Sequence, residues 1–157
     1  MNNTKILFVC LGNICRSPSA ETVMQKLVKE KGLGEFIEID SAGLLDYHEG
    51  QMADSRMREH ASRRGLNITH RSRPVKAGVD FNYFDMIIGM DDDNIKALRE
   101  LASIPEWKKK VYKMTDFCKS KAHDYIPDPY YGGQQGFELV LDILEDACLG
   151  LIEYIQK

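Results

Sequence analysis

A chain of 157 residues with 21 Lys and Arg against 24 Asp and Glu carries a formal charge of −3, so no basic excess exists to hold nucleic acid or an anionic membrane. With 43% hydrophobic and 29% charged residues it can bury a core without a metal or disulfide staple, which excludes a disordered chain or a small disulfide scaffold. The N-terminal apolar run is too short to span a bilayer and lacks a signal-peptide cleavage pattern. A cytoplasmic, reducing setting is therefore expected, with Cys10, Cys15, Cys118 and Cys148 as free thiols. No Cys-x-x-Cys pair or Cys/His ligand spacing occurs, and the sequence calls for no metal and no cofactor.

Lys5 to Cys10 is a continuous apolar run of the kind found in a strand covered on both faces. After a short loop, Ser17 reads as the N-cap and Pro18 as the first residue of a helix whose apolar stripe is Ala20, Val23, Met24, Leu27 and Val28, ended by Gly32. Phe36 to Ile39 alternates into a second strand, completing a right-handed β-α-β unit. Asp54 to Arg64 reads as a polar helix stopped by Gly65, Phe84 to Met90 as a third strand, Asp91 to Leu101 as a helix with an acidic cap, and Lys110 to Met114 as a short fourth strand. Ala122 to Gly136, with Pro127, Pro129 and Gly132-Gly133, reads as a loop, and Phe137 to Ile155 as a long amphipathic closing helix. Strands alternating with helices predict an α/β fold over residues 1–157: a single doubly wound domain whose four-stranded parallel sheet is flanked by helices on both faces.

The chemistry concentrates between the first strand and the first helix, in Cys10-Leu11-Gly12-Asn13-Ile14-Cys15-Arg16-Ser17. A turn at that place aims successive backbone N–H groups at an anion, and Gly12 permits the backbone such a nest needs. Arg16 adds a planar fork for two oxygens of a phosphate group. A thiol beside a helix N-terminus and an arginine has its thiolate favoured, which makes Cys10 the candidate nucleophile. Ser17 can donate to that sulfur, and Asn13 can hold the loop through side-chain hydrogen bonds. Each residue alone reads as packing or surface; the combination at a strand–helix junction does not.

A phosphate monoester also needs a proton for its leaving oxygen. Asp128 in Pro127-Asp128-Pro129-Tyr130-Tyr131 offers one from a stiffened loop. An ordinary aspartate has a pKa near 3.9, so this carboxyl must be raised by partial burial or by bound phosphate to serve as an acid. Tyr130 and Tyr131 can wall a cleft for a flat aryl ring. His48, His60 and His123 show no ligand-like pairing and read as surface or packing residues.

LFVCLGNICRSPSAE near the N-terminus and DPYYGG downstream resemble the low-molecular-weight protein tyrosine phosphatases. The resemblance extends to Asp40-Ser41-Ala42-Gly43, Tyr47-His48-x-Gly50, Asp54-x-Arg56, Gly89-Met90-Asp91 and the closing helix. It implies a phosphocysteine mechanism, with Cys10 attacking phosphorus, Arg16 and the loop residues Leu11 to Cys15 and Ser17 holding phosphate, and Asp128 as general acid and then general base. It further implies a supporting network of Ser17, Asn13, Ser41 and His70, and a redox role for Cys15 as disulfide partner of the nucleophile. Family members often carry Trp where this chain has Tyr47, and Leu44 and Leu45 make that cleft wall more apolar. The implied partners are phosphotyrosine proteins or small aryl phosphates, with inorganic phosphate or a similar oxyanion at the site; the implied assembly is a monomer or weak self-association.

Two alternatives remain open at this point. An arsenate reductase of the same fold would reuse the Cys/Arg loop, but it needs relay cysteines near the third strand, and Val79 to Asn94 holds none. Against a phosphate-binding or phosphocysteine-carrying domain without turnover stands the combination of Arg16 with a candidate acid.

Overall fold

In the computed structural model, which describes residues 3–157 apart from the side chain of Tyr131, the N-terminal apolar run becomes strand β1 (Thr4–Cys10). Ile6, Leu7, Phe8 and Val9 are fully buried, which requires cover above and below the sheet. β2 (Ile37–Gly43) pairs with β1 from Thr4↔Ile37 to Cys10↔Gly43, β3 (Met86–Gly89) pairs with the other edge of β1, and β4 (Val111–Lys113) adds to β3. Every pairing is parallel, and the order β2-β1-β3-β4 gives the expected four-stranded sheet. The chain steps outward from β1 to β2 and then returns to β3 on the far side. That reversal opens a crevice beyond the carboxyl ends of β1 and β3, where an open α/β sheet binds its ligand.

Alternate residues of β1 feed two cores. Ile6 and Phe8 pack beneath α1 (Arg16–Glu30), α2 (Ser55–Ser62) and α6 (Gly133–Gln156), whereas Leu7 and Val9 pack with Phe81 of α3 (Ala77–Tyr83), Ile95 and Leu98 of α4 (Asp92–Leu101) and Trp107 of α5 (Pro105–Lys108).

Several elements differ from expectation. α3 and α5 are helices that the pattern did not announce: α3 is 7 residues long with Val79 exposed, so no apolar stripe reports it. It is organised instead by Asp80, which accepts from the Lys76 amide at 2.7 Å and ion-pairs with Arg73 at 3.1 Å. β2 runs on to Gly43 through polar residues that hide its strand character, and α6 begins at Gly133, ahead of its first core residue Phe137. Ser17 does not cap α1; the helix starts at Arg16, with Cys15 in the cap position and no side-chain cap.

Candidate active site

The absent cap has a physical reason. A side chain bonded to the first amides of α1 would occupy donors that here face the sulfur of Cys10. The Ser17 N–H lies 3.4 Å from Cys10 Sγ, and the Ser17 hydroxyl lies 3.0 Å from it. A sulfur anion in that place gains a hydroxyl donor, an amide donor and the positive end of a helix.

The loop closes through Asn13, whose φ of 57° is left-handed. The backbone freedom expected of Gly12 is taken up here by Asn13. Gly12 has no positive φ, and an added Cβ there would approach Cδ2 of His48 to 3.2 Å, a tight contact. Asn13 holds its own strained backbone, worth about 1–2 kcal/mol, with four hydrogen bonds. Its amide donates to Ser17 Oγ at 2.7 Å and Ser41 Oγ at 3.1 Å; its carbonyl accepts from the Arg73 backbone N–H at 3.0 Å and from His70 Nε2 at 2.9 Å. Ser41 in turn donates to Glu21 Oε1 at 2.6 Å. The expected quartet of Ser17, Asn13, Ser41 and His70 is thus brought together, and it reaches Glu21, Asp40 and Arg73, which carried no assignment.

Arg16 is buried and its Nη1 donates to Asp91 Oδ2 at 2.6 Å and to the Ile126 carbonyl at 3.0 Å. Burial opposes its charge, but the Cys10 sulfur, Asp91 and Asp128 outweigh it and hold the guanidinium above its ordinary value. Asp91 also caps α4 through Oδ1, which accepts from the Asn94 N–H at 2.8 Å. Its role at α4 was legible in the sequence; its second bond, to a residue 75 positions away, was not.

Cys10, Leu11, Gly12, Ile14, Cys15, Arg16, Leu45, Tyr47, His48, Asp128 and Tyr130 line one cleft of about 510 Å³. Cys10 is 3% exposed, Tyr130 62% and Tyr47 81%, so the sulfur lies deep and the two rings stand at the mouth. His48, read as a surface or packing residue, belongs to this cleft, and its Nδ1 lies 3.0 Å from Gln51 Oε1. His60 is buried and stacks on Phe137. Asp128 is exposed rather than partly buried; its Oδ1 accepts from the Tyr130 N–H at 3.0 Å, which caps the short 3-10 turn Pro129–Tyr131. The side chain of Tyr131 lies outside the described part of the structure.

Burial sets the other titrations here. It raises Glu21 to about 7, against the pull of the Ser41 hydroxyl, and lowers His70, against the pull of Asp40. Burial, reinforced by Asp54, also pushes the Cys15 thiol well above its ordinary range. Cys15 is therefore a protonated thiol beside the candidate nucleophile. Among the described residues, no helix is long and apolar enough to cross a membrane.

The geometry has close counterparts. Residues 5–157 match the model of the family described as low molecular weight phosphotyrosine protein phosphatase. A Drosophila melanogaster protein named low molecular weight phosphotyrosine protein phosphatase 1 is 41% identical over 98% of both chains. A protein tyrosine phosphatase of Entamoeba histolytica, crystallised with Hepes in its active site, is 50% identical with a TM-score of 0.94, covering 98% of this chain and 97% of its own. A Drosophila arginine phosphatase superposes with a TM-score of 0.90 at 30% identity, over 98% of this chain and 99% of its own. Matched along nearly the whole chain by this family model and by these relatives, the protein is a member of the low molecular weight phosphotyrosine protein phosphatase family.

Proposed function

We propose that this protein hydrolyses phosphotyrosine, and small aryl phosphates, through a phosphocysteine formed on Cys10, residues 1–157 making up one catalytic domain. The observation that carries the reading is the convergence on Cys10 Sγ of the Ser17 hydroxyl at 3.0 Å and the Ser17 amide at 3.4 Å, in a cleft that also holds Arg16 and Asp128.

The steps follow from what each group can do. The Cys10 thiolate attacks phosphorus in line with the ester oxygen; the S–P bond forms as the P–O bond breaks. Arg16 and the amides of the loop take the charge on the equatorial oxygens. Asp128 protonates the departing phenolate. Asp128, now ionised, takes a proton from water, whose oxygen attacks phosphorus and releases inorganic phosphate. The sulfur leaves as a thiolate that the Ser17 hydroxyl stabilises. Asn13, Ser41 and His70 position the loop without touching the reacting atoms. Cys15 is the thiol available to form a disulfide with oxidised Cys10.

The walls favour an aryl group over a guanidinium. Leu11, Ile14, Leu45, Tyr47 and Tyr130 offer apolar surface for a ring, and Asp128 is the one carboxylate lining the cleft to answer a second positive charge. A reductase relay is not supported: Cys118 and Cys148 are buried, with their sulfurs 3.9 Å from the carbonyls of Ile143 and Ala20.

Hydrolysis of p-nitrophenyl phosphate, a phosphotyrosine peptide and a phosphoarginine peptide tests the proposal. Cys10→Ser is expected to abolish turnover of all substrates. Asp128→Ala should slow the phosphotyrosine peptide more than p-nitrophenyl phosphate, whose leaving group needs less protonation. Equal losses would remove Asp128 from the mechanism, and a preference for phosphoarginine would overturn the aryl assignment.

A further inference from the structure

Arg56 occupies a place that its helix does not favour. It is the second residue of α2, where the positive end of the helix dipole repels a cation, and the first turn holds no acidic residue to offset it. The cap answers the charge instead: Arg56 Nη2 donates to Asp54 Oδ2 at 3.0 Å and Nε to Asp54 Oδ1 at 3.3 Å. Capping does not need this side chain, because Asp54 Oδ1 already accepts from the Arg56 and Met57 backbone amides at 2.8 and 3.3 Å. A residue that breaks a local rule without serving its own helix is held there by something else.

What the guanidinium reaches is the loop of the candidate acid. Its central carbon lies 5.1 Å from the centroid of the Phe137 ring and 5.3 Å from that of Tyr130, both within cation–π range. Phe137 is buried in α6 and gives the guanidinium a fixed plate to rest on. Tyr130 belongs to the short turn Pro129–Tyr131, and its N–H donates to Asp128 Oδ1 at 3.0 Å.

Asp54 is in turn fastened to the anion loop, its backbone N–H donating to the Ile14 carbonyl at 2.8 Å. A continuous path therefore runs from Ile14 through Asp54, Arg56 and Tyr130 to Asp128. The same charges surround one sulfur: after burial, the largest influence, Asp54, Cys10 and Asp128 raise the Cys15 thiol and Arg56 lowers it. On its inner side the acid's loop is tied down by Ile126, whose N–H donates to the Met90 carbonyl at 2.8 Å and whose carbonyl accepts from Arg16 at 3.0 Å. Arg56 supports the loop on the side of α2.

We propose that Arg56 is a positioning residue for the general acid: clamped by Asp54 to the anion loop, it props the Tyr130 ring and so sets where Asp128 stands over bound phosphate. The inference rests on Asp128 acting as the acid. A role in reading the peptide around a phosphotyrosine would act on peptides; a role in placing the acid acts on the leaving oxygen of any ester.

Phenyl phosphate and p-nitrophenyl phosphate bring the same ring to the cleft but differ in how much their leaving oxygens need a proton. The test measures kcat/KM for both in wild type, Arg56→Gln, Arg56→Lys, Asp128→Ala and the Arg56→Gln/Asp128→Ala double variant. The Arg56 side chain is 49% exposed and the backbone cap bonds of Asp54 do not depend on it, so α2 persists in these variants. Arg56→Gln should lower kcat/KM for phenyl phosphate about two- to fivefold, the worth of an exposed cation–π contact, and for p-nitrophenyl phosphate by less. Arg56→Lys, which keeps a cation but not the planar fork, should recover part of the loss. In the Asp128→Ala background, Arg56→Gln should cost nothing further. An unchanged ratio between the two esters in Arg56→Gln, a Lys variant no better than Gln, or additive losses in the double variant would overturn the proposal and leave Asp128 in its role. Equal losses on the two esters in Asp128→Ala would overturn the general-acid reading and this inference with it.

Discussion

Asp91 holds Arg16 with one carboxylate oxygen at 2.6 Å and the first turn of α4 with the other at 2.8 Å, so one side chain couples the Arg16 guanidinium to the start of α4. Asn caps a helix as well as Asp does but carries no charge. Asp91→Asn should leave the melting temperature nearly unchanged while kcat/KM for p-nitrophenyl phosphate falls roughly ten- to a hundredfold, the worth of a hydrogen bond to a charged group. Parallel melting and steady-state measurements check this; a large loss of stability would show that Asp91 serves the fold rather than the arginine.

Asn13 combines a backbone conformation with a hub of hydrogen bonds, and two substitutions separate them. Gly adopts a φ of 57° without strain but cannot make the four side-chain bonds; Ala lacks both. Asn13→Gly is expected to be more stable than Asn13→Ala by about 1 kcal/mol in denaturant titration, with both variants sharply reduced in kcat. Equal activity of Asn13→Gly and wild type would mean that conformation alone shapes the loop.

The buried Cys15 thiol, raised by desolvation and then by Asp54, stays protonated through neutral and mildly alkaline pH. Iodoacetamide at pH 8 should therefore modify Cys10 first, with inorganic phosphate protecting it, and leave Cys15 largely untouched. Peptide mass mapping over time reads the order directly. Alkylation of both at equal rates would contradict the difference in environment.

Asp54 tests the fold beneath the site. Partial burial pushes its pKa up, but the Arg56 side chain and the backbone amides of Met57 and Arg56 outweigh that and hold it below its ordinary 3.8. A depressed carboxylate contributes stability that is full above its unfolded pKa and is lost as pH falls through its lower folded value. Asp54→Ala should cost about 1 kcal/mol at pH 7, the loss of an N-cap, and the difference from wild type should shrink below pH 4. Denaturant titrations at pH 7 and pH 3 give the comparison.

Gly150 of α6 packs against the carbonyl of Phe117 so closely that an added Cβ would fall 1.7 Å from its oxygen. Gly150→Ala must push α6 outward and is expected to cost about 1–3 kcal/mol, or roughly 3–10 °C in melting temperature. Gly78, in α3 with nothing within 4 Å of an added Cβ, supplies the control: Gly78→Ala should stabilise by about 0.5–1 kcal/mol.

These cases also show what a sequence carries. The run Lys5 to Cys10 announced a strand covered on both faces because burial of every side chain leaves a continuous apolar word, and the strand is there. Cys10, Arg16 and Asp128 stood out in the sequence as unusual residue types at a strand–helix junction and on a proline-stiffened loop, and all three line one cleft. α3 escaped because Asp80, not an apolar stripe, organises it. Gly12 was read as supplying the backbone freedom of the nest because glycine offers freedom of φ; the structure gives the positive φ to Asn13 and leaves Gly12 close beside the His48 ring. Glu21 and Asp91 act through bonds to residues 20 and 75 positions away, a distance at which one sequence has no periodicity to offer.

A covalent phosphocysteine on Cys10 is the step on which the proposed mechanism depends. Wild-type enzyme mixed rapidly with excess p-nitrophenyl phosphate, quenched in acid within the first turnover and digested for mass spectrometry, should carry one phosphoryl group on the peptide containing Cys10, with a matching burst of p-nitrophenol. A phosphoryl group on any other residue, or full turnover in Cys10→Ser, would contradict it.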